Sequence, residues 1–166
     1  MNHVATLIEI RHKTTGAVLH ELEASRLAGA NLGGACLREA NLSRMVLDRA
    51  KLSGVDLQEA DLSFANLASA DLSDANLSRA NLRGTALTGA SLARAMLHGA
   101  NLRNASMYQV DLEGAQLVNA ELSGADLAAA KLDGAVLTGA RYDAGTRWPQ
   151  DFDPQAAGAV AKEASN

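Results

Sequence analysis

Residues 60–82 read ADLSFANLASADLSDANLSRANL, and the spacing of their apolar side chains decides the architecture. Leu62, Leu67, Leu72, Leu77 and Leu82 fall at every fifth position, with Ala60, Ala65 and Ala70 two places before the first three. Followed outward, the same period runs from Leu27 to Leu137: 22 of 23 registers are leucine and Met107 fills the other. Alanine stands two places before the centre in 18 of the 23; the rest are Ser25, Met45, Val55, Thr85 and Val110. Asn or Asp immediately precedes the centre in 11 of them.

A period of five fits neither common element. A helix, at about 100° per residue, would spread successive leucines around its whole circumference. A strand, with period two, would send them alternately to opposite faces. Burying all of them requires the chain to turn the same way by about 90° in each repeat, so that four repeats close a square coil of about 20 residues. Leu and Ala then point inward, and the Ser-, Gly-, Asn-, Asp- and Arg-rich remainder forms solvated corners. Coils stacked at the usual strand spacing of about 4.8 Å give a column roughly 28 Å tall. Such a core is built from small pieces, which suits a chain with 3% aromatic residues. The larger inward residues Met45 with Val55, and Met107 with Val110, are expected to compensate volume locally.

The sequence resembles the pentapeptide-repeat family, whose consensus A(D/N)LXX is matched almost without interruption over residues 25–144. The resemblance implies an all-β fold, a right-handed quadrilateral parallel β-helix. It implies little about function, since most members of the family have no established role.

The organisation expected is an N-terminal β-hairpin cap over 1–24, the solenoid over 25–144, and a C-terminal cap and tail over 145–166. A stack of coils has two raw ends that must be covered. At the first, residues 6–10 and 17–22 read as strands around the turn Lys13-Thr14-Thr15-Gly16. At the second, Tyr142 takes the leucine slot, and Trp148 and Phe152 follow as an aromatic plug, with residues 155–166 fraying beyond.

Chemistry-bearing motifs are scarce. His3, His12, His20 and His98 share no ligand spacing, and the single cysteine, Cys36, has no evident His or acid partner. No nucleophile elbow, P-loop or dinucleotide fingerprint occurs, so no catalytic, cofactor or metal residues are assigned and an enzyme is not expected. The start, MNHVATLIEIRHK, lacks a signal-peptide pattern, and no run approaches the roughly 18 apolar residues of a membrane span. A cytoplasmic protein with no membrane association is the expectation.

Function is therefore sought on the outer surface. Folding the sequence at 20 residues per coil stacks Met96, Gln116 and Val136 in one column and His98, Val118 and Thr138 in the next, with Tyr108 read as lying around the corner. This face is the candidate interaction surface, for an unidentified protein partner or for a second copy in a homodimer. Some pentapeptide-repeat proteins imitate duplex DNA and bind DNA gyrase, which requires a strongly acidic column. Residues 25–144 hold 13 acids and 11 bases, a net of −2. The most acidic face, with Asp71, Asp74, Asp111, Glu113 and Asp133, is interrupted by Lys51, Arg94 and Lys131. Another carries Arg44, Arg83, Arg103 and Arg141 against Asp61, Glu121 and Asp143. Modulation of gyrase is thus the weaker alternative, and direct nucleic-acid binding weaker still. Arg44 and Phe64 are placed to form a cation–π pair.

Overall fold

The computed structural model describes residues 7–24 and 26–162, and no helix occurs among them. Its core is a single cluster of the periodic Leu and Ala side chains. Leu37 through Leu82 are fully excluded from solvent at every fifth position, as are Leu62, Leu67, Leu72, Leu77 and Leu82, with Ala60, Ala65 and Ala70 packed beside them.

Each pentad turns for a local reason. The N–H two places before one leucine donates to the carbonyl of the previous leucine, as in Ala65 to Leu62 at 3.0 Å, closing a four-residue turn. The third residue of that turn holds positive φ, as a type II turn requires. This holds at all 23 positions from 29 to 139 at five-residue intervals, although only ten of them are glycine. Arg44, Phe64, Arg79 and Ala129 are among the thirteen that are not.

The Asn/Asp preference has an equally local cause. In the interior pentads the leucine N–H, the N–H before it and the N–H two places after it bond to neighbouring coils, as Leu62, Asp61 and Phe64 do. The N–H directly after the leucine has no such partner. Where Asn or Asp precedes the leucine, its Oδ1 accepts that N–H: Ser63 donates to Asp61 at 3.0 Å, Ala68 to Asn66 at 3.1 Å and Ser73 to Asp71 at 3.0 Å. The side chain thus satisfies the one backbone donor that the ladder omits. The amides also stack, Asn81 Nδ2 donating to Asp61 and Asn101 Nδ2 to Asn81.

Parallel bridges link residues 20 apart in four columns. One runs Asn31–Lys51–Asp71–Ser91–Asp111–Lys131, the next from Cys36 to Val136, the third from Asn41 to Arg141, and the fourth from Val46 to Arg147. The coil is therefore four-sided, and columns two apart in this order lie on opposite sides.

At the N-terminal end, β1 (Leu7–Arg11) and β2 (Val18–Glu23) pair antiparallel. Thr6 and His3 lie outside the described residues. The hairpin is joined to the first coil through Asn41 N–H to Arg11 carbonyl and Lys13 N–H to Glu39 carbonyl, both 2.8 Å, while Ile10 enters the core.

At the C-terminal end, β3 (Arg141–Tyr142) pairs in parallel with β4 (Val160–Ala161). Residues 155–162 therefore do not fray, and 163–166 lie outside the described residues. The segment rejoins the stack through Gly139 N–H to Gly158, Val160 N–H to Ala140 and Lys162 N–H to Tyr142, and Ala159 is buried. Lys162 Nζ reaches Glu121 at 2.5 Å. Tyr142, Trp148 and Phe152 pack on the core as a ring series, with centroids 5.5 and 5.3 Å apart. Trp148 Nε1 is buried without a hydrogen-bond partner.

Between Tyr142 and Trp148 the chain gains one residue, so Asp126 bridges Arg147 where the period would give 146. Asp143 holds this insertion: its Oδ1 accepts from Gly124 N–H and Gly145 N–H, both at 3.0 Å, and from Thr146 Oγ1. Burial is the largest single influence on this carboxyl and raises its pKa. The hydrogen bonds from Gly124, Gly145 and Thr146, with the charge of Lys162, outweigh it and hold the pKa below the ordinary 3.8.

Candidate functional site on the outer faces

Among the described residues the axis is filled, and recesses lie at the ends and on the surface. One of about 520 Å³ lies at the N-terminal end among Ile8, Arg26, Leu27, Met45, Asp48 and Arg49, among others. No sequence pattern marks it, because it forms where the hairpin meets the first coil. Its charged residues include the neighbouring pair Asp48 and Arg49, 3.2 Å apart, and it holds no nucleophile–base pair. Among the described residues no three His, Cys, Asp or Glu side chains come together as metal ligands. Cys36 is exposed.

Met96, Gln116 and Val136 do bridge in succession, in the second column. Met96 is 40% exposed and His98 is exposed, whereas Gln116, Val118 and Val136 are half-buried. Tyr108 corrects the sequence reading. It follows Ser106 and Met107 in the fourth column, on the opposite side of the coil from Met96 and His98. One pentad separates Tyr108 from Arg103 and a second separates Arg103 from His98, and each pentad is a quarter turn. The six candidate residues therefore do not form one surface.

A different patch stands out in the third column. Phe64 occupies a positive-φ corner and is 51% exposed. Its ring lies against Gly84, where an added Cβ would sit 2.7 Å from two ring carbons. The guanidinium carbons of Arg44 and Arg83 lie 5.4 and 5.9 Å from the ring centroid. One coil beyond Arg83, Arg103 completes a recess of about 250 Å³ with Asn101 and Asn104. The sequence suggested the Arg44–Phe64 contact; it did not show Arg83 closing on the same ring.

Most other arginines are neutralised across coils. Arg38 pairs with Asp56 at 3.4 Å, Arg79 with Glu59 at 3.7 Å, Arg141 with Glu121 at 3.8 Å and Arg147 with Asp126 at 2.8 Å. Arg94 makes a two-pronged contact with Asp74, at 2.8 and 2.7 Å. That hydrogen bond lowers the Asp74 pKa and raises that of Arg94. Among the described residues, Arg44, Arg83 and Arg103 have no such carboxylate.

The family profile described as Pentapeptide repeats matches residues 25–63, 65–104 and 105–141 in eight copies. The chain belongs to the pentapeptide-repeat family. Among solved structures, HetL, a pentapeptide repeat protein involved in heterocyst differentiation regulation from the cyanobacterium Nostoc sp. strain PCC 7120, is 29% identical. The likeness covers 82% of this chain and 76% of HetL, with a TM-score of 0.41. A second pentapeptide repeat protein of Nostoc PCC 7120 is 40% identical over 70% of this chain and 84% of its own, at a TM-score of 0.34. QnrB1, a plasmid-mediated fluoroquinolone resistance protein, is 16% identical over 82% of this chain and 86% of its own, at 0.29. A comparison with curated proteins gives no match.

The repeats of this pentapeptide-repeat chain thus set the columns, and the variable positions between leucines decide what each column displays. Among the described residues no helix is long and apolar enough to cross a membrane.

Proposed function

We propose that the chain is a non-enzymatic scaffold or protein-interaction module, built as a right-handed quadrilateral β-helix with a hairpin cap and working in the cytoplasm. The observation that carries this reading is the solid axis: Leu and Ala side chains fill it from Leu32 to Leu127, nearly all at 2% exposure or less. Binding then falls to the outer faces, which are rigidly spaced by the ladders. Arg and aromatic residues left exposed on such a face have the composition of interface anchors.

Crosslinking in the source cells, followed by reconstitution of the recovered pair, tests the reading. A complex of fixed stoichiometry in sedimentation is the expected result; the absence of any stoichiometric partner would overturn it. The weaker alternative, a gyrase modulator, is disfavoured by the mixed charge of every face, since a phosphate-like field needs continuous negative charge. Purified gyrase should supercoil DNA at the same rate with and without the chain, and inhibition would restore the alternative.

A further inference from the structure

We propose that Arg44, Phe64, Arg83 and Arg103 form a docking site for an acidic, extended segment of a partner protein. A carboxylate would seat between Arg83 and Arg103, with a neighbouring apolar side chain against Phe64.

The recess is lined by Arg83 and Arg103 with Asn101 and Asn104. Among the described residues neither arginine has a carboxylate partner, and the Oδ1 of Asn101 is already committed to the Arg103 backbone N–H. Coil stacking places the two arginines one ladder spacing apart, about 4.8 Å between backbones. A guanidinium fork matches a carboxylate in shape as well as charge. Elsewhere on the column that match is already made internally, five times across coils. Here it is left open. Phe64 supplies the apolar anchor, and the cations flanking its ring hold it upright on Gly84.

Charge around the patch selects a short acidic peptide over a nucleic acid. Asp61 stands in the same column among the arginines, Glu121 follows one coil beyond Arg103, and the whole chain carries −4. The positive field therefore spans only a few coils, too short to follow a phosphate backbone, whose affinity grows with the number of phosphates neutralised.

The inference rests on the interaction-module reading. It is tested on the full chain with a fluorescein-labelled octapeptide of four Glu-Leu pairs, by anisotropy at low and at physiological ionic strength. Expected is binding that weakens with salt, falls about tenfold in the Arg83→Gln/Arg103→Gln variant and about threefold in Phe64→Ser, and is unchanged in Arg94→Gln on the opposite side. Circular dichroism checks that each variant is folded. No binding, equal binding by Arg83→Gln/Arg103→Gln, or tighter binding of an oligothymidine of equal length would overturn the proposal. So would self-association in sedimentation as the only event these arginines affect. A natural partner retained equally by wild type and Arg83→Gln/Arg103→Gln would remove this site while leaving the interaction-module reading intact.

Discussion

Replacing Ala129 by glycine should stabilise the protein, and replacing its neighbour Ala128 should do the opposite. Ala129 is exposed and holds φ 59° at the turn corner, where its side chain ends at Cβ. An L-residue in the left-handed region is strained by about 1–2 kcal/mol. Glycine relieves that strain but gives the unfolded chain extra freedom, costing about 0.5–1 kcal/mol. The first effect wins, leaving a net gain of about 0.5–1 kcal/mol. For a chain of this size that raises the melting temperature by about 2 °C. At Ala128 the backbone φ is not positive, so only the entropic loss remains and stability falls by about 0.5–1 kcal/mol.

Two reverse substitutions separate strain from crowding. At Gly54, φ 64°, an added Cβ meets nothing within 4 Å, so Gly54→Ala should cost about 1 kcal/mol from conformation alone. At Gly84, also φ 64°, the Cβ would lie 2.7 Å from the Phe64 ring, so Gly84→Ala should cost more and displace the ring. Thermal unfolding followed by far-ultraviolet circular dichroism, with urea midpoints beside it, reads all four. If Ala129→Gly and Ala128→Gly shift stability in the same direction, the corner strain does not exist as described.

Further outcomes follow from the core and the ends. Leu72→Ala should lower stability by about 3–5 kcal/mol in urea titration, because ladders on four sides keep the cavity from collapsing. Thr85→Val should cost no more than about 1 kcal/mol: the buried hydroxyl donates to Leu62 carbonyl at 2.8 Å, but that carbonyl keeps the N–H of Ala65. Trp148→Phe should stay within about 1 kcal/mol of wild type, since it deletes an N–H that has no partner. The Asp143 carboxyl has a lowered folded pKa, so its contribution is present above the ordinary value of 3.8 and is lost as pH falls through the folded one. The stability difference between wild type and Asp143→Ala should therefore be full at neutral pH and shrink below about pH 4, read by urea midpoints across the series.

The period of five made the coil legible, because burying Leu62 and Leu67 together leaves the chain no alternative to turning. It also brought Met96, Gln116 and Val136 into one column. Three things were hidden. Tyr108 looked adjacent to His98 because the sequence lists pentads linearly, whereas two quarter turns place them on opposite sides. The extra residue between Tyr142 and Trp148 was invisible because no leucine follows to mark the register. The closing of Arg83 on the Phe64 ring, beyond the Arg44–Phe64 pair legible in the column, depends on side-chain rotamers that no periodicity encodes.

The four-column ladder makes chain length a rotational setting. Deleting 20 residues from the interior removes one storey and leaves every face above it aligned with the face below. Deleting five keeps each leucine inward but swings everything downstream by a quarter revolution, carrying the aromatic end around relative to the hairpin end. Insertions in the repeat thus act like clicks of a dial: they re-aim one part of the surface against another while the hydrophobic axis registers no change.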